Sequence, residues 1–209
     1  MSNDNAGRSQ FLSRFDVSRE TCARLDIYHA ELVRWTERIN LISRASVAEI
    51  WQRHFADSAQ LLALAGTAQG QWADFGAGAG FPGLVIAALD PTRQMTLVES
   101  DQRKCAFLLT TAQKMGLSVN VVSKRIEQCP PLQAQVISAR ALAALDQLLA
   151  YAERHLAKGG ICLFPKGIQA ESELTAARKA WHIVCDLVPS QSDPNATILK
   201  IREFARVSA

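Results

Sequence analysis

Apolar residues recur at helical spacing through the first third of the chain. Leu25, Tyr28, Leu32, Trp35, Ile39 and Ile42 follow one another at intervals of 3, 4, 3, 4 and 3, the stripe of an amphipathic helix. Ser46-Val47-Ala48-Glu49 then reads as a capping box, in which the serine and glutamate satisfy each other's free backbone N–H groups. It predicts a second helix through Ile50, Trp51, Phe55 and Leu62. Ala65-Gly66-Thr67 breaks the pattern. The division predicted is a helical segment over 1–65 and a second unit over 66–209.

From Gln71 onward short apolar runs alternate with helical stripes. Strands are predicted at Gln71–Phe75, Met95–Glu99, Val119–Val122, Gln135–Ala139 and Ile161–Phe164. Helices are predicted at Leu84–Leu89, Asp101–Met115, Asp146–Leu156 and about Glu171–Trp181. Strands spaced by helices of that length imply an α/β fold with a parallel, doubly wound sheet. The end differs, because His182–Val188 and Ala196–Phe204 are both strand-like and flank the turn-rich 189–195. They predict a terminal antiparallel hairpin, which a two-half dinucleotide domain would not have.

The densest chemical signal is Asp74-Phe75-Gly76-Ala77-Gly78-Ala79-Gly80-Phe81-Pro82-Gly83. Its glycines let the backbone turn tightly and approach a ligand more closely than a Cβ would allow. Gly78, Gly80 and Gly83 also satisfy a dinucleotide fingerprint. Asp74 decides between ligands. A pyrophosphate on the helix N-terminus would be repelled by a neighbouring carboxylate, whereas S-adenosylmethionine carries a sulfonium and an ammonium and no phosphate. The loop is read as a methyl-donor site. Glu99 ends the second strand, 21 residues after Gly78, where an acid can accept from both ribose hydroxyls of an adenosine. It serves NAD equally well. Ile126-Glu127 follows the third strand, at the place of the adenine edge. Lys158-Gly159-Gly160 is a turn of the kind that precedes the fifth strand of Rossmann-like methyltransferases, and it is also an ordinary helix stop. Arg140 and Lys166 follow two strands at the edge where open parallel sheets bind ligands; facing substrate, they would grip phosphates.

Composition narrows the setting. The 209 residues suffice for one full domain plus an extension. No 18-residue apolar run and no charged-then-apolar leader is present, which predicts a soluble cytoplasmic protein without a membrane partner. Five cysteines, odd in number and without a C-x-x-C pair, fit neither a disulfide framework nor a zinc ribbon. The four histidines show no metal-ligand spacing, so no metal is expected. Residues 1–65 hold eight arginines against eight acids, so the net charge of +3 lies in the second unit. That excess fits a mixed solvated surface as well as a nucleic-acid patch.

Taken in order, these segments resemble the bacterial RsmG family, also called GidB, from about Leu25 to Ile201. The pieces that carry the resemblance are Trp35-x-x-x-Ile39-Asn40-Leu41, Arg53-His54-Phe55-Ala56-Asp57-Ser58, the glycine loop, Glu99-Ser100-x-x-x-Lys104, Arg125-Ile126-Glu127, Ser138-Ala139-Arg140-Ala141 and Lys166-Gly167. Two departures stand out: Asn40-Leu41-Ile42 where the family often has Asn-Leu-Thr, and Ser138-Ala139-Arg140-Ala141 where it has Ser-Arg-Ala. The resemblance implies a Rossmann-like class I methyltransferase fold, a mostly parallel sheet with a terminal antiparallel hairpin, preceded by an N-terminal helical segment. It implies methylation of guanine N7 at one site in the decoding region of 16S ribosomal RNA, as free RNA or small subunit, with S-adenosyl-L-methionine as donor. No protein partner is implied, and a monomer is expected. Gly76, Phe81, Ile126, Glu127 and Arg140 carry over as cofactor residues, to which the direct reading adds Asp74, Gly78 and Glu99. Asn40, Arg140 and Lys166 carry over as catalytic, and Arg125, Arg140 and Lys166 as RNA-binding. Guanine N7 already offers an unprotonated lone pair, so an in-line displacement needs orientation and desolvation more than a general base.

Three rivals remain at this level. An NAD-dependent oxidoreductase shares the glycines and Glu99. A catalytically silent RNA-binding module would keep the fold. A methyltransferase acting on a small molecule or protein would keep the glycine loop.

Overall fold

The computed structural model describes residues 3–207. Its N-terminal portion is helical: α1 (Asn3–Phe15), α2 (Arg19–Thr36), a 3-10 turn (Arg44–Glu49), a π-helical turn (Trp51–Ala56) and α3 (Asp57–Ala65). There follow β1 (Trp72–Phe75), α4 (Gly83–Leu89), β2 (Met95–Glu99), α5 (Gln102–Lys114), β3 (Val119–Ser123) and a 3-10 turn at Ile126–Gln128. The rest is β4 (Ala134–Ala139), α6 (Leu145–His155), β5 (Leu156–Lys166), α7 (Ala170–Ala177), β6 (Trp181–Pro189) and β7 (Thr197–Arg206). One seven-stranded sheet has the order β3-β2-β1-β4-β5-β7-β6. The first five strands in that order pair in parallel, and β7 is antiparallel to both neighbours. The chain reverses direction across the sheet between β1 and β4, the switch point where open sheets of this kind bind ligands.

The two sheet faces have separate buried clusters. Trp72, Leu97, Val136 and Leu163 face the helical segment, α4 and α5. Ala73, Phe75, Val98, Ile137 and Phe164 face α6 and α7. Strands buried on both sides read as continuous apolar runs, and the four residues of β1 are all buried. Leu25, Tyr28, Leu32, Phe55 and Leu61 of the helical segment belong to the first cluster, so that segment is packed into the same core as the sheet.

The structure departs from the sequence reading in four places. The stripe from Leu25 does not stay helical to Ile42, because α2 ends at Thr36. Arg38 and Ile39 both donate their N–H groups to the Trp35 carbonyl, and β-branched Thr36, Ile39 and Ile42 favour the helix weakly. Ile39 and Ile42 still pack on the core from a loop. Secondly, the cap is Ser43 rather than Ser46: its Oγ accepts from the Ser46 N–H at 3.2 Å. Thirdly, Lys158-Gly159-Gly160 is no turn but a bulge inside β5, for Leu156 pairs with Ala134 and Ile161 with Val136. Gly160 is required there, since a Cβ would lie 3.0 Å from the carbonyl oxygens of both Ala134 and Gln135. Lastly, α1 had no counterpart in the apolar pattern; Phe11 anchors it against Trp51 and Phe55, with ring centroids 5.5 and 6.4 Å away.

Candidate active site

The glycine loop joins β1 to α4 at the carboxyl edge of the sheet. Gly76, Gly78 and Gly80 all have positive φ, at 61°, 54° and 89°. Beside them opens a cavity of about 280 Å³ whose walls include Gly76, Gly78, Glu99, Arg125, Ile126 and Glu127. Glu99 is held rigidly: one carboxylate oxygen accepts from Gly78 N–H at 2.9 Å, the other from Asp101 N–H at 2.8 Å. Each oxygen keeps a further lone pair, which is what a ribose diol needs. Ile126 and Leu142 supply apolar walls, and Tyr151 donates to Glu127 at 2.8 Å. This chemistry suits a nucleoside, with Glu99 at the sugar.

Asp74 lies elsewhere than its sequence position suggested. It is fully buried between sheet and helix, and it does not line the cavity. Its carboxylate accepts from Gly83 N–H at 3.0 Å and from Ser138 Oγ–H at 2.7 Å, and Ser138 in turn accepts from Trp72 Nε1. Burial raises its pKa to about 7, against the opposing hydrogen bonds from Ser138 and Gly83. Asp74 therefore shapes the loop from behind the cavity wall rather than lining the cavity. Phe81 is likewise buried beneath the site. Its ring stacks on Tyr28 and His54, with centroids 5.4 and 4.8 Å away, and Arg140 Cζ sits 4.8 Å from its centroid. The Tyr28 hydroxyl donates to the Ala79 carbonyl at 2.5 Å, so α2 is docked directly onto the glycine loop.

A second, larger cavity of about 970 Å³ lies on the β4–β5 side. Arg140 and Lys166 both line it, together with Arg53, His54, Asp57 and Glu173. Arg140 thus lines the larger cavity and not the smaller one. Its Nη1 donates to Asp57 Oδ2 at 3.3 Å, and Asp57 also accepts from Ser192 Oγ–H at 2.8 Å and Gln60 Nε2–H at 3.0 Å. Lys166 is no free point charge: Nζ donates to Glu173 at 2.7 Å and to the Ala143 carbonyl at 2.8 Å, and its side chain is only 10% exposed. Glu173 also accepts the Leu145 N–H at the start of α6. Together they clamp the segment 143–145, which follows directly on Leu142. Asn40 lines neither cavity; it sits in a third, between α2 and the first 3-10 turn.

His54 and Asp57 stand in the Arg-His-x-x-Asp-Ser pattern with no task marked by their spacing, Tyr28 is part of an apolar stripe, and nothing in the sequence singles out Leu142 or Glu173. His54 is neutral at physiological pH, because burial, then Arg140 and Arg53, push its pKa down to about 3. Neither of its ring nitrogens has a hydrogen-bond partner among the described residues. Leu142 is 38% exposed and stands over Gly76: a Cβ there would lie 2.6 Å from Leu142 Cδ1. Ala141 and Leu142 line both cavities. No group of three or more His, Cys, Asp or Glu side chains among the described residues could hold a metal ion.

A glycine loop beside a cavity at the switch point of a parallel sheet, with an added antiparallel hairpin, is the architecture of the Rossmann-like methyltransferase class. Solved structures share the fold at low identity. M. jannaschii TYW2, solved in complex with AdoMet, matches with a TM-score of 0.57 and 13% identity over 82% of this chain and 80% of that one. Precorrin-6y C5,15-methyltransferase from Geobacter metallireducens matches with a TM-score of 0.51 and 14% identity over 78% and 90%. Residues 21–193 match the family described as GidB, rRNA small subunit methyltransferase G. Proteins named ribosomal RNA small subunit methyltransferase G from Cereibacter sphaeroides and Paramagnetospirillum magneticum are 48% and 49% identical over 200 residues. Those alignments span 94% and 96% of this chain and 97% of each relative. The chain belongs to the GidB family of small-subunit rRNA methyltransferases.

Proposed function

We propose that the chain transfers a methyl group from S-adenosylmethionine to N7 of one guanine in the decoding region of 16S ribosomal RNA. The observation that carries this reading is the shared wall: the nucleoside cavity and the larger cavity meet at Ala141 and Leu142, beside Gly76. Two ligands can therefore approach each other there without either entering through the other's opening. The donor supplies an electrophilic methyl on a positively charged sulfur. Glu99 would hold its ribose, Ile126 would flank the adenine, and the glycine loop would take its remaining backbone contacts. N7 forms the new bond with its own lone pair while the sulfur–carbon bond breaks and its electron pair stays on sulfur. No proton leaves, so no base is required, and the neutral His54 fits that economy. Orientation and exclusion of water carry the reaction. No helix among the described residues is long and apolar enough to cross a membrane. We infer a cytoplasmic enzyme that works as a monomer on RNA or on the small subunit.

The test combines purified protein, labelled donor and small-subunit RNA, free or assembled, with mapping of N7-methylguanine. Label at one guanine is expected. Absence of label in both forms, under conditions where the protein binds the donor, overturns the substrate while leaving the fold intact.

The clamp revises what Lys166 would do. Lys166→Ala and Glu173→Gln are expected to act alike, each weakening donor binding about tenfold, the scale of one charge-assisted hydrogen bond. Both loosen the segment that holds Leu142 over Gly76. Calorimetry with the donor, and RNA binding as a function of salt, check this. A fall of about one unit in the salt slope for Lys166→Ala alone would instead show a phosphate contact.

A further inference from the structure

The larger cavity is poorly suited to gathering the negative charge of an RNA backbone. Each of its bases already holds a carboxylate: Arg53 pairs with Glu49 at 3.4 Å, Arg140 with Asp57 at 3.3 Å and Lys166 with Glu173 at 2.7 Å. Asp193 lines it too, so the acids outnumber the bases. A phosphate entering between Arg140 and Lys166 would displace a largely buried carboxylate and leave it unpaired, whereas the Arg53–Glu49 pair at the mouth is exposed and weak. Such a cavity fits a nucleobase better than a phosphodiester.

Cations without ion pairs among the described residues lie outside it: Lys124 and Arg125 line the smaller cavity, and two arginines stand on the loop that follows α2. A cavity of about 420 Å³ is lined there by Thr36, Glu37, Arg38, Asn40, Ser43 and Arg44 among others. Arg38 and Arg44 are exposed, and neither has an ion-pair or side-chain hydrogen-bond partner among the described residues. That sets them apart from their neighbours: Arg8, Arg24, Arg34 and Arg53 pair with Asp26, Glu20, Glu31 and Glu49. The Asn40 side chain also has no partner among the described residues. Glu37 is the single acid lining this cavity, against two arginines.

The position of the loop follows from how α2 packs. Arg24 Nε donates to the Met115 carbonyl just past the end of α5, Glu31 pairs with Lys114 at 2.7 Å, and Trp35 meets Phe107 with ring centroids 5.8 Å apart. The two helices therefore run antiparallel, and the C-terminal end of α2 points toward the start of α5. That start lies at the carboxyl edge of the sheet, where both other cavities open.

We infer that Arg38, Asn40 and Arg44 form a subsite for a backbone phosphate of the RNA, separate from the place of methyl transfer. This rests on the RNA-substrate reading above. Guanidinium groups match phosphate oxygens with paired N–H donors, and the Asn40 amide adds a neutral donor. The subsite anchors the strand while the base enters the larger cavity, so phosphate contacts position and the cavity selects.

The experiment uses the full chain, a small-subunit RNA fragment containing the decoding region, and three variants: Arg38→Ala/Arg44→Ala, Asn40→Ala and Arg19→Ala. Arg19 is an exposed arginine without a partner among the described residues, at the opposite end of α2, and it controls for general charge loss. Fluorescence anisotropy across a salt series reads binding; methyl transfer reads KM and kcat separately. The double variant should raise the RNA KM about tenfold or more at low salt and cut the salt slope by about 0.7–0.9 units, the value for one phosphate. Its kcat, donor affinity and circular dichroism should match the wild type. Asn40→Ala should weaken binding with the slope unchanged, and Arg19→Ala should change neither. A double variant with wild-type slope and KM overturns the subsite, as does one whose kcat falls while KM holds, or a slope loss equalled by Arg19→Ala. A wild type that binds RNA with the expected slope but transfers no methyl refutes the proposed activity and leaves the subsite standing.

Discussion

Asp74→Asn is expected to remove most of a pH dependence of stability that the wild type shows between pH 5 and pH 8. Burial raises this carboxyl from 3.8 to about 7 in the folded protein. Between those values the folded state keeps a proton that the unfolded chain has released. The stability it contributes is therefore fully present below pH about 4 and is lost as the pH rises through about 7. Over pH 5 to 8 the loss is on the order of 3 kcal/mol. Histidines work in the opposite direction: burial lowers the pKa of both His54 and His155, so their contribution grows as the pH rises. Both remain in Asp74→Asn. The quantity to measure is therefore the difference between the two proteins, by chemical denaturation at each pH. Asparagine keeps an oxygen for Gly83 N–H and a polar contact for Ser138, so the variant should fold. Asp74→Ala should not fare as well, because it strands Gly83 N–H and the Ser138 hydroxyl in the core, at a cost of about 3 kcal/mol. Parallel pH profiles for wild type and Asp74→Asn would show that Asp74 is ionised throughout, contrary to this account.

The same residue shows how far the sequence could be read. Its reading against a pyrophosphate rested on repulsion from a nearby carboxylate. The structure supplies a closer reason: Asp74 itself takes the Gly83 N–H at the N-terminus of α4, the donor a phosphate would need. Period and turn chemistry made the alternating sheet, the hairpin and the glycine loop legible, because each is written in neighbouring residues. What escaped was set by how the elements pack and where helices end, which neighbouring residue types do not record. Lys166 read as a charge free to grip phosphate because Glu173 and Ala143 approach it only once α7 packs beside α6. Its strand end reads Arg140 as a phosphate grip and the family resemblance adds a place beside the cofactor, yet Asp57, 83 residues away in sequence, holds it in the larger cavity. Asn40 read as part of the chemistry, and the early end of α2 carries it to a third cavity. An apolar stripe reports what faces the core, and Ile39 and Ile42 do face it, but it does not report whether the backbone in between remains helical.

Gly76→Val should abolish donor binding, lowering affinity at least about a hundredfold, a loss of about 2.7 kcal/mol, while the protein stays folded. Two costs need separating. At φ 61° a β-branched side chain is strained by about 1–3 kcal/mol wherever it sits. In addition, the new Cβ would meet Leu142 Cδ1 at 2.6 Å and Cγ at 3.2 Å. Leu142 is partly exposed and can rotate away, so this contact unfolds nothing; it pushes Leu142 out of the wall shared by the two cavities. The valine methyls then project into the donor cavity that Gly76 lines. Gly116 provides the control. It has φ 65°, nearly the same backbone, and a Cβ added there would meet nothing within 4 Å; it closes α5 at the far end from the site. Gly116→Val should lose comparable stability in a thermal melt and bind donor as the wild type does. Calorimetry on both variants distinguishes the outcomes. Equal loss of donor affinity in the two would trace the effect to stability and remove Gly76 from the site, whereas loss in Gly76→Val alone places the donor against this glycine and under Leu142.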